Sequence, residues 1–194
     1  MAGKSKDVLT GSRVLVGVTG GIAAYKAAAM VSTLVQRGAA VQTMMTEAAA
    51  RFVTPLTFQT LTRQPVYLTL WSSTEDFRTS HIALSEWAQV CVIAPATADI
   101  IGKMAHGLAD DIVSTTVLAL ECPVLVAPAM NTRMWEKKAV QDNVARLATV
   151  GYRFVGPAEG RLACGTSGAG RMSEPEEIIA ALEVILAEGR GTKK

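Results

Sequence analysis

Asn131 stands at the end of an apolar run, Val124-Leu-Val-Ala-Pro-Ala-Met-Asn131, just before Thr132-Arg-Met-Trp135. Its amide carries both donor and acceptor groups, which suits a substrate amide or carboxylate. The same residue type also suits the N-cap of a following helix, and the two roles are compatible if the side chain faces a crevice. His81 is one of two histidines and sits in the polar run Arg78-Thr-Ser-His81. An imidazole can take or give a proton near neutral pH, although a lone histidine also reads as a surface residue. His106, just before Gly107, reads as a helix-end residue favoured by the dipole. Cys164 lies in Arg161-Leu-Ala-Cys-Gly-Thr-Ser-Gly-Ala-Gly-Arg171, a stretch too rich in glycine to be core. It is either a reactive thiol on a polar loop or a cysteine that tacks that loop down. Cys91, in an apolar strand, and Cys122, before Pro123, read as structural. The three cysteines have no metal-type spacing.

Two further segments offer backbone donors. Gly17-Val-Thr-Gly-Gly-Ile22 lets amides and a helix N-terminus face a phosphate or a ring. No Gly-Lys-Ser/Thr follows, so it is not a P-loop, nor is it a full G-x-G-x-x-G. Glu47, after the next strand, keeps a nicotinamide reading open. Pro95-Ala-Thr-Ala-Asp-Ile100 supplies a hydroxyl, a carboxylate and backbone amides at another strand end, or simply a helix cap at Thr97 or Asp99.

These residues must be positioned by strands and helices. Arg13–Thr19, Ala40–Met45, Val90–Ala94, Pro123–Ala127 and Tyr152–Val155 read as strands, and Val66–Trp71 as a short edge segment. Ile22–Arg37 reads as a helix stopped by Gly38. Further helices are expected after the cap Thr46, at Pro55–Leu61, Ala98–His106, Asp110–Leu120 and Thr132–Val150, and at Glu174–Glu188 with Pro175 in its first position. Residues 156–172 read as a glycine-rich loop. Alternating strands and helices imply an α/β fold, a doubly wound, three-layer parallel sheet with helices on both faces. Ligands then sit at the carboxyl edge of that sheet.

The length of 194 residues favours one domain over the whole chain, with tails at 1–12 and 189–194 expected to be flexible. With 49% hydrophobic and 19% charged residues, apolar surface is in excess, which suggests a homo-oligomer. A net charge of +2 without a basic run argues against nucleic acid. No apolar stretch approaches the ~20 residues of a membrane span, and no signal-peptide shape is present, so the expected compartment is the cytoplasm.

In their order and spacing, four segments resemble the homo-oligomeric flavin-containing cysteine decarboxylases, and most the phosphopantothenoylcysteine decarboxylase branch. They are Gly20-Gly-Ile-Ala23, His81-Ile-Ala-Leu-Ser-Glu-Trp-Ala88, Pro95-Ala-Thr-Ala-Asp99 and Pro128-Ala-Met-Asn-Thr-Arg-Met-Trp135, joined by the 161–172 stretch. The resemblance implies FMN as cofactor and no metal. It implies flavin contacts at Gly20, Gly21 and Ile22, at Thr46, along Pro95, Ala96, Thr97, Ala98 and Asp99, and at Ala129. The family motif is written Pro-Ala-Ser-Ala-Asn-Thr. Thr97 keeps the hydroxyl, Asp99 replaces an amide with an acceptor-only carboxylate, and Ile100 lacks the last hydroxyl.

For activity, the resemblance implies decarboxylation of 4′-phosphopantothenoylcysteine to 4′-phosphopantetheine in coenzyme A biosynthesis, through thioaldehyde and enethiolate intermediates. His81 would be the acid/base, Asn131 would hold the substrate, and Cys164 would donate the final proton. Met130, Ala163, Gly165 and Met172 would complete the substrate site, with the 156–172 loop acting as a clamp. Trimers, or trimers assembled into a dodecamer, are implied, with the flavin near a subunit boundary. A peptidyl-cysteine decarboxylase, a flavin prenyltransferase and a non-catalytic flavin-binding regulatory subunit remain as alternatives; Cys164 speaks against the first, since peptide-modifying relatives stop at the enethiol.

Overall fold

A computed structural model describes residues 7–71, 80–161, 165 and 167–191. Six strands form one parallel sheet: β1 (Arg13–Val18), β2 (Ala40–Met45), β3 (Val66–Tyr67), β4 (Val90–Ala96), β5 (Val124–Pro128) and β6 (Arg153–Phe154). Their order is 3-2-1-4-5-6. The chain therefore winds outward in one direction from β1 and in the other from β4. The β1/β4 boundary is the switch point, where loops diverge and leave a crevice.

The central strands are nearly continuous apolar runs because both sheet faces are covered. Val14, Val16 and Val18 turn to one face, with Ala27, Met30 and Leu34 of α1 (Ala24–Gln36), Phe58 of α3 (Pro55–Thr62) and Ile178 and Leu182 of α9 (Pro175–Gly191). Leu15, Cys91 and Ile93 turn to the other. They meet α4 (Ser80–Trp87), α5 (Ala98–His106), α6 (Ile112–Leu118) and α8 (Lys138–Thr149) through Leu84, Ile100, Val113 and Leu147. A four-residue helix, α2 (Glu47–Ala50), follows β2, with the Thr46 hydroxyl accepting from the Ala49 amide as its cap.

Three expectations change. The single helix expected over Thr132–Val150 is two: α7 (Thr132–Trp135) and α8, broken at Glu136 and Lys137. α7 buries none of its residues, so core packing does not hold it in line with α8. The stretch 156–172 is mostly not loop. β7 (Ala158–Arg161) and β8 (Ser167–Arg171) pair antiparallel as a separate two-stranded ribbon. The N-terminal tail is anchored from Asp7 onward: Leu9 is fully buried, and Asp7 pairs with Arg37 at 2.9 Å. At the other end, α9 runs through Gly191, into the stretch expected as a tail.

Candidate active site

At the switch point, the ends of β1 and β4 are tied together. The buried Thr19 hydroxyl donates to the Pro95 carbonyl at 2.6 Å and accepts from the Thr97 amide at 3.2 Å. Pro95 is accommodated within a strand because the β4–β5 ladder shifts register between Ile93 and Ala96. Thr97 then caps α5, its hydroxyl accepting from the Ile100 amide. The turn after β1 is close-packed: a Cβ on Gly20 would lie 2.4 Å from the Ala48 Cβ, so α2 approaches the turn only because Gly20 has none. Ala23, the N-cap of α1, makes no side-chain cap, so the positive end of that helix is left to whatever lies in front of it.

A cleft of about 1180 Å³ opens over these ends. One wall is Gly20, Gly21 and Ile22 with Thr46, and the floor carries Thr97, Ala98 and Asp99. The opposite wall is Ala129, Met130 and Asn131, met by Gly170, Arg171 and Met172 of the ribbon. Asn131 is the N-cap of α7, and its side-chain oxygen accepts from the Arg133 amide at 2.8 Å. The capping role and the cleft position therefore hold together, with the side chain rather than the backbone alone making the cap. The ribbon reaches this wall through a bulge at Gly170, whose carbonyl accepts from the Met130 amide at 2.9 Å. A Cβ there would lie 2.3 Å from the Met130 carbonyl oxygen, and φ is +142°, so the contact is glycine-specific.

Other expected residues lie elsewhere. Pro95 and Ala96 are buried strand residues outside the cleft wall, with the Pro95 ring packed behind Gly21. His81 is half-buried on α4 and is not in the cleft wall of its own chain. Gly165 is exposed and also outside the wall. Ala163 and Cys164 lie outside the described residues. Cys91 is fully buried, and burial pushes its thiol well above the ordinary range. Cys122 is half-buried, and its thiol is pushed up to about 11 by the same cause. Neither is a ready nucleophile. His106 ends α5, its Nε2 lying 3.1 Å from the Asn143 Oδ1.

Six ionic groups in the cleft wall, Lys26, Arg51, Lys103, Asp110, Asp111 and Arg171, were not expected as site residues from sequence. Lys103 sits 2.9 Å from Asp110, 2.9 Å from Asp111 and 3.5 Å from Asp99. Burial alone would lower its pKa, but hydrogen bonds to Asp110 and Asp111 outweigh this and hold the ammonium above the usual lysine range. Asp111 also caps α6 through a capping box with Ser114. Asp99 is thus matched by a cation one turn on, which accounts for a carboxylate at that motif position. Lys26 and Arg171 share Glu174, and Arg51 lines the mouth. The sequence signal for Lys26 was a charge on the apolar side of α1. For Asp111 it was an acidic pair just before a helix.

The wall fits an FMN-sized ligand: a side-chain-free turn at a helix N-terminus, a free hydroxyl proton on Thr46, and small or apolar residues across from it. Among the described residues no group of His, Cys, Asp and Glu could hold a metal ion, and no helix is long and apolar enough to cross a membrane.

Comparison with known proteins agrees with this geometry. The Flavoprotein family model matches residues 2–186. The coenzyme A biosynthesis bifunctional protein CoaBC of Bacillus subtilis (strain 168) is 49% identical over 181 residues, covering 93% of this chain and 45% of that protein. CoaBC of Vibrio cholerae is 46% identical over 92% of this chain and 45% of its own length. The chain thus spans under half the length of these curated relatives. Among solved structures, a PPC decarboxylase mutant complexed with pantothenoylaminoethenethiol has a TM-score of 0.83 at 31% identity, covering 91% of this chain and 99% of that one. The FMN-dependent cysteine decarboxylase SpaF has a TM-score of 0.80 at 34% identity, covering 94% and 99%. The chain belongs to the flavoprotein family and, within it, to the flavin-containing cysteine decarboxylases.

Proposed function

We propose that this chain decarboxylates 4′-phosphopantothenoylcysteine to 4′-phosphopantetheine with FMN, the carboxy-lyase step of coenzyme A biosynthesis. One observation carries the reading: the glycine turn, the Thr97 floor and the Met130–Asn131 wall meet in one cleft, in a chain half identical to the CoaBC protein of Bacillus subtilis. When bound, FMN supplies a reversible two-electron sink, which a cysteine carboxyl group needs before carbon dioxide can leave. The Gly20, Gly21 and Ile22 backbone and the Thr46 hydroxyl would hold its phosphate. Thr97, Ala98 and Ala129 would border its ring, with Pro95 and Ala96 setting the position of Thr97.

Asn131 faces the same space with its side-chain oxygen already engaged by the Arg133 amide. Its NH₂ group would serve the substrate's carboxylate or amide oxygen. Met130 and Met172 close an apolar surface around the reacting carbon and exclude water from it. Cys164 would deliver the last proton. His81, absent from the wall of its own chain, would serve as acid/base across a subunit boundary. That role calls for a homo-oligomer, a trimer or a dodecamer. Exposed apolar side chains such as Leu56 (66%) support association. A biosynthetic enzyme of this kind belongs in the cytoplasm.

The purified protein is expected to be yellow and to release carbon dioxide from phosphopantothenoylcysteine. Asn131→Ala should keep the flavin and lose at least about 100-fold in kcat/KM. His81→Asn subunits mixed and reassembled with Asn131→Ala subunits should regain activity that neither has alone. A colourless protein that takes up no FMN, or one that acts only on a peptide ending in cysteine, would overturn the reading.

A further inference from the structure

We infer that Lys26 is a positioning residue that fastens the β7–β8 ribbon to the cofactor wall. It is the third residue of α1, only 7% exposed, in a helix face otherwise made of Ala23, Ala27 and Met30. Lysine is rarely so buried unless it is paired. An apolar side chain would fill this place without desolvating an ammonium. What lysine adds is a connection: Nζ donates to the Met172 carbonyl at 3.2 Å and to Glu174 Oε1 at 2.9 Å.

Those two acceptors form the exit of the ribbon. Met172 and Ser173 are buried directly after β8. Glu174 precedes α9, accepts from Arg171 at the end of β8, and donates its own amide to the Glu177 carboxylate at 2.8 Å. Among the described residues, the ribbon meets the body where Gly168 packs on Thr132, at its bulge and at its exit. Its bulge is bonded to Met130, and its exit is bonded to α1, whose first turn follows Gly20 and Gly21. Lys26, Arg171 and Met172 all line the cleft. The lysine thus sets how far the ribbon stands from the glycine turn across the cleft. Its effect on turnover rests on the decarboxylase reading; its effect on the ribbon does not.

The test is hydrogen exchange on the FMN-loaded protein without substrate, followed by kinetics. Lys26→Met should speed exchange of ribbon amides 158–161 and 167–171 about tenfold or more, while strand amides of the central sheet stay protected. FMN affinity should stay within about threefold, and KM for phosphopantothenoylcysteine should rise about tenfold with a smaller change in kcat. Lys26→Arg, which keeps a donor for both acceptors, should restore most of the protection. Glu174→Gln, at a partly exposed site, should give the same pattern at smaller size even if Lys26→Met fails to fold. Unchanged ribbon exchange in Lys26→Met and Glu174→Gln would overturn the inference. Should the chain not act on phosphopantothenoylcysteine at all, the exchange result still decides it.

Discussion

The two walls of the cleft are built by opposite means. The β1/β4 side is held by burial: Val16, Val18, Val92 and Ile93 are fully inaccessible, and Thr19 ties the strand ends together from within. The ribbon side has little core of its own. Among the described residues it is attached by a backbone bond at Gly170, by Gly168 packing on Thr132, by Lys26 bonded to the Met172 carbonyl and Glu174, and by the buried anchor Met172. A wall held by packing keeps one shape or unfolds with the domain. A wall held by a few polar contacts can detach alone. On the proposed reading, the cofactor would fall to the wall held by packing, and the substrate to the wall held by polar contacts.

The largest contrast should come from core truncation. Ile93→Ala, at a fully buried position, should cost about 2–5 kcal/mol and lower Tm by on the order of 10 °C, with sheet and ribbon lost together in a single thermal transition. Gly170→Ala should do the reverse. Its Cβ would meet the Met130 carbonyl, so the ribbon must shift. Catalytic efficiency should fall about 100-fold while Tm moves by less than about 3 °C and flavin absorbance persists. A Tm loss as large as that of Ile93→Ala would erase the distinction between the walls.

The smallest effect is in pH, where the two walls should fail at opposite ends. Burial raises the Cys122 thiol, next to β5, to about 11. The folded state then holds that proton more tightly than the unfolded chain. The stability this gives is complete below the ordinary thiol range and is lost as pH climbs toward 11. Hydrogen bonding to Lys26, and then to Arg171, lowers Glu174 below the usual carboxylate range. Its contribution is complete above that range and is lost as pH falls through the lowered value. Global stability measured by denaturant should decline at alkaline pH, less so in Cys122→Ala. Ribbon exchange, measured separately, should rise at acid pH, less so in Glu174→Gln.

The buried half of the fold was legible because its signals are local. Val14 to Val18 and Val90 to Ile93 are apolar runs, and Thr46 and Thr97 announced the helices they cap. The break between α7 and α8 was not, since neither glycine nor proline marks it and the apolar period continues through Glu136 and Lys137. The ribbon was hidden by its own glycines: Gly160, Gly168 and Gly170 replace the β-branched residues that advertise a strand. Lys26 showed in the sequence only as a charge on the apolar side of α1; its role was not legible because its partners lie 146 and 148 positions away. His81 was read in a polar run rather than in a helix, so α4 was missed, and the cross-subunit role proposed for it has no local pattern to announce it.

Lys103 is surrounded by three carboxylates, and one ammonium cannot neutralise them all. The rim near α5 and α6 therefore keeps a negative excess, and Asp99 and Asp110 are largely open to water. A doubly charged phosphoryl compound approaching from solution would feel that rim as a repulsive lip and turn its charged end away from it. Entry would then be pre-aligned before any contact forms, and the alignment would weaken as added electrolyte shortens the reach of the field.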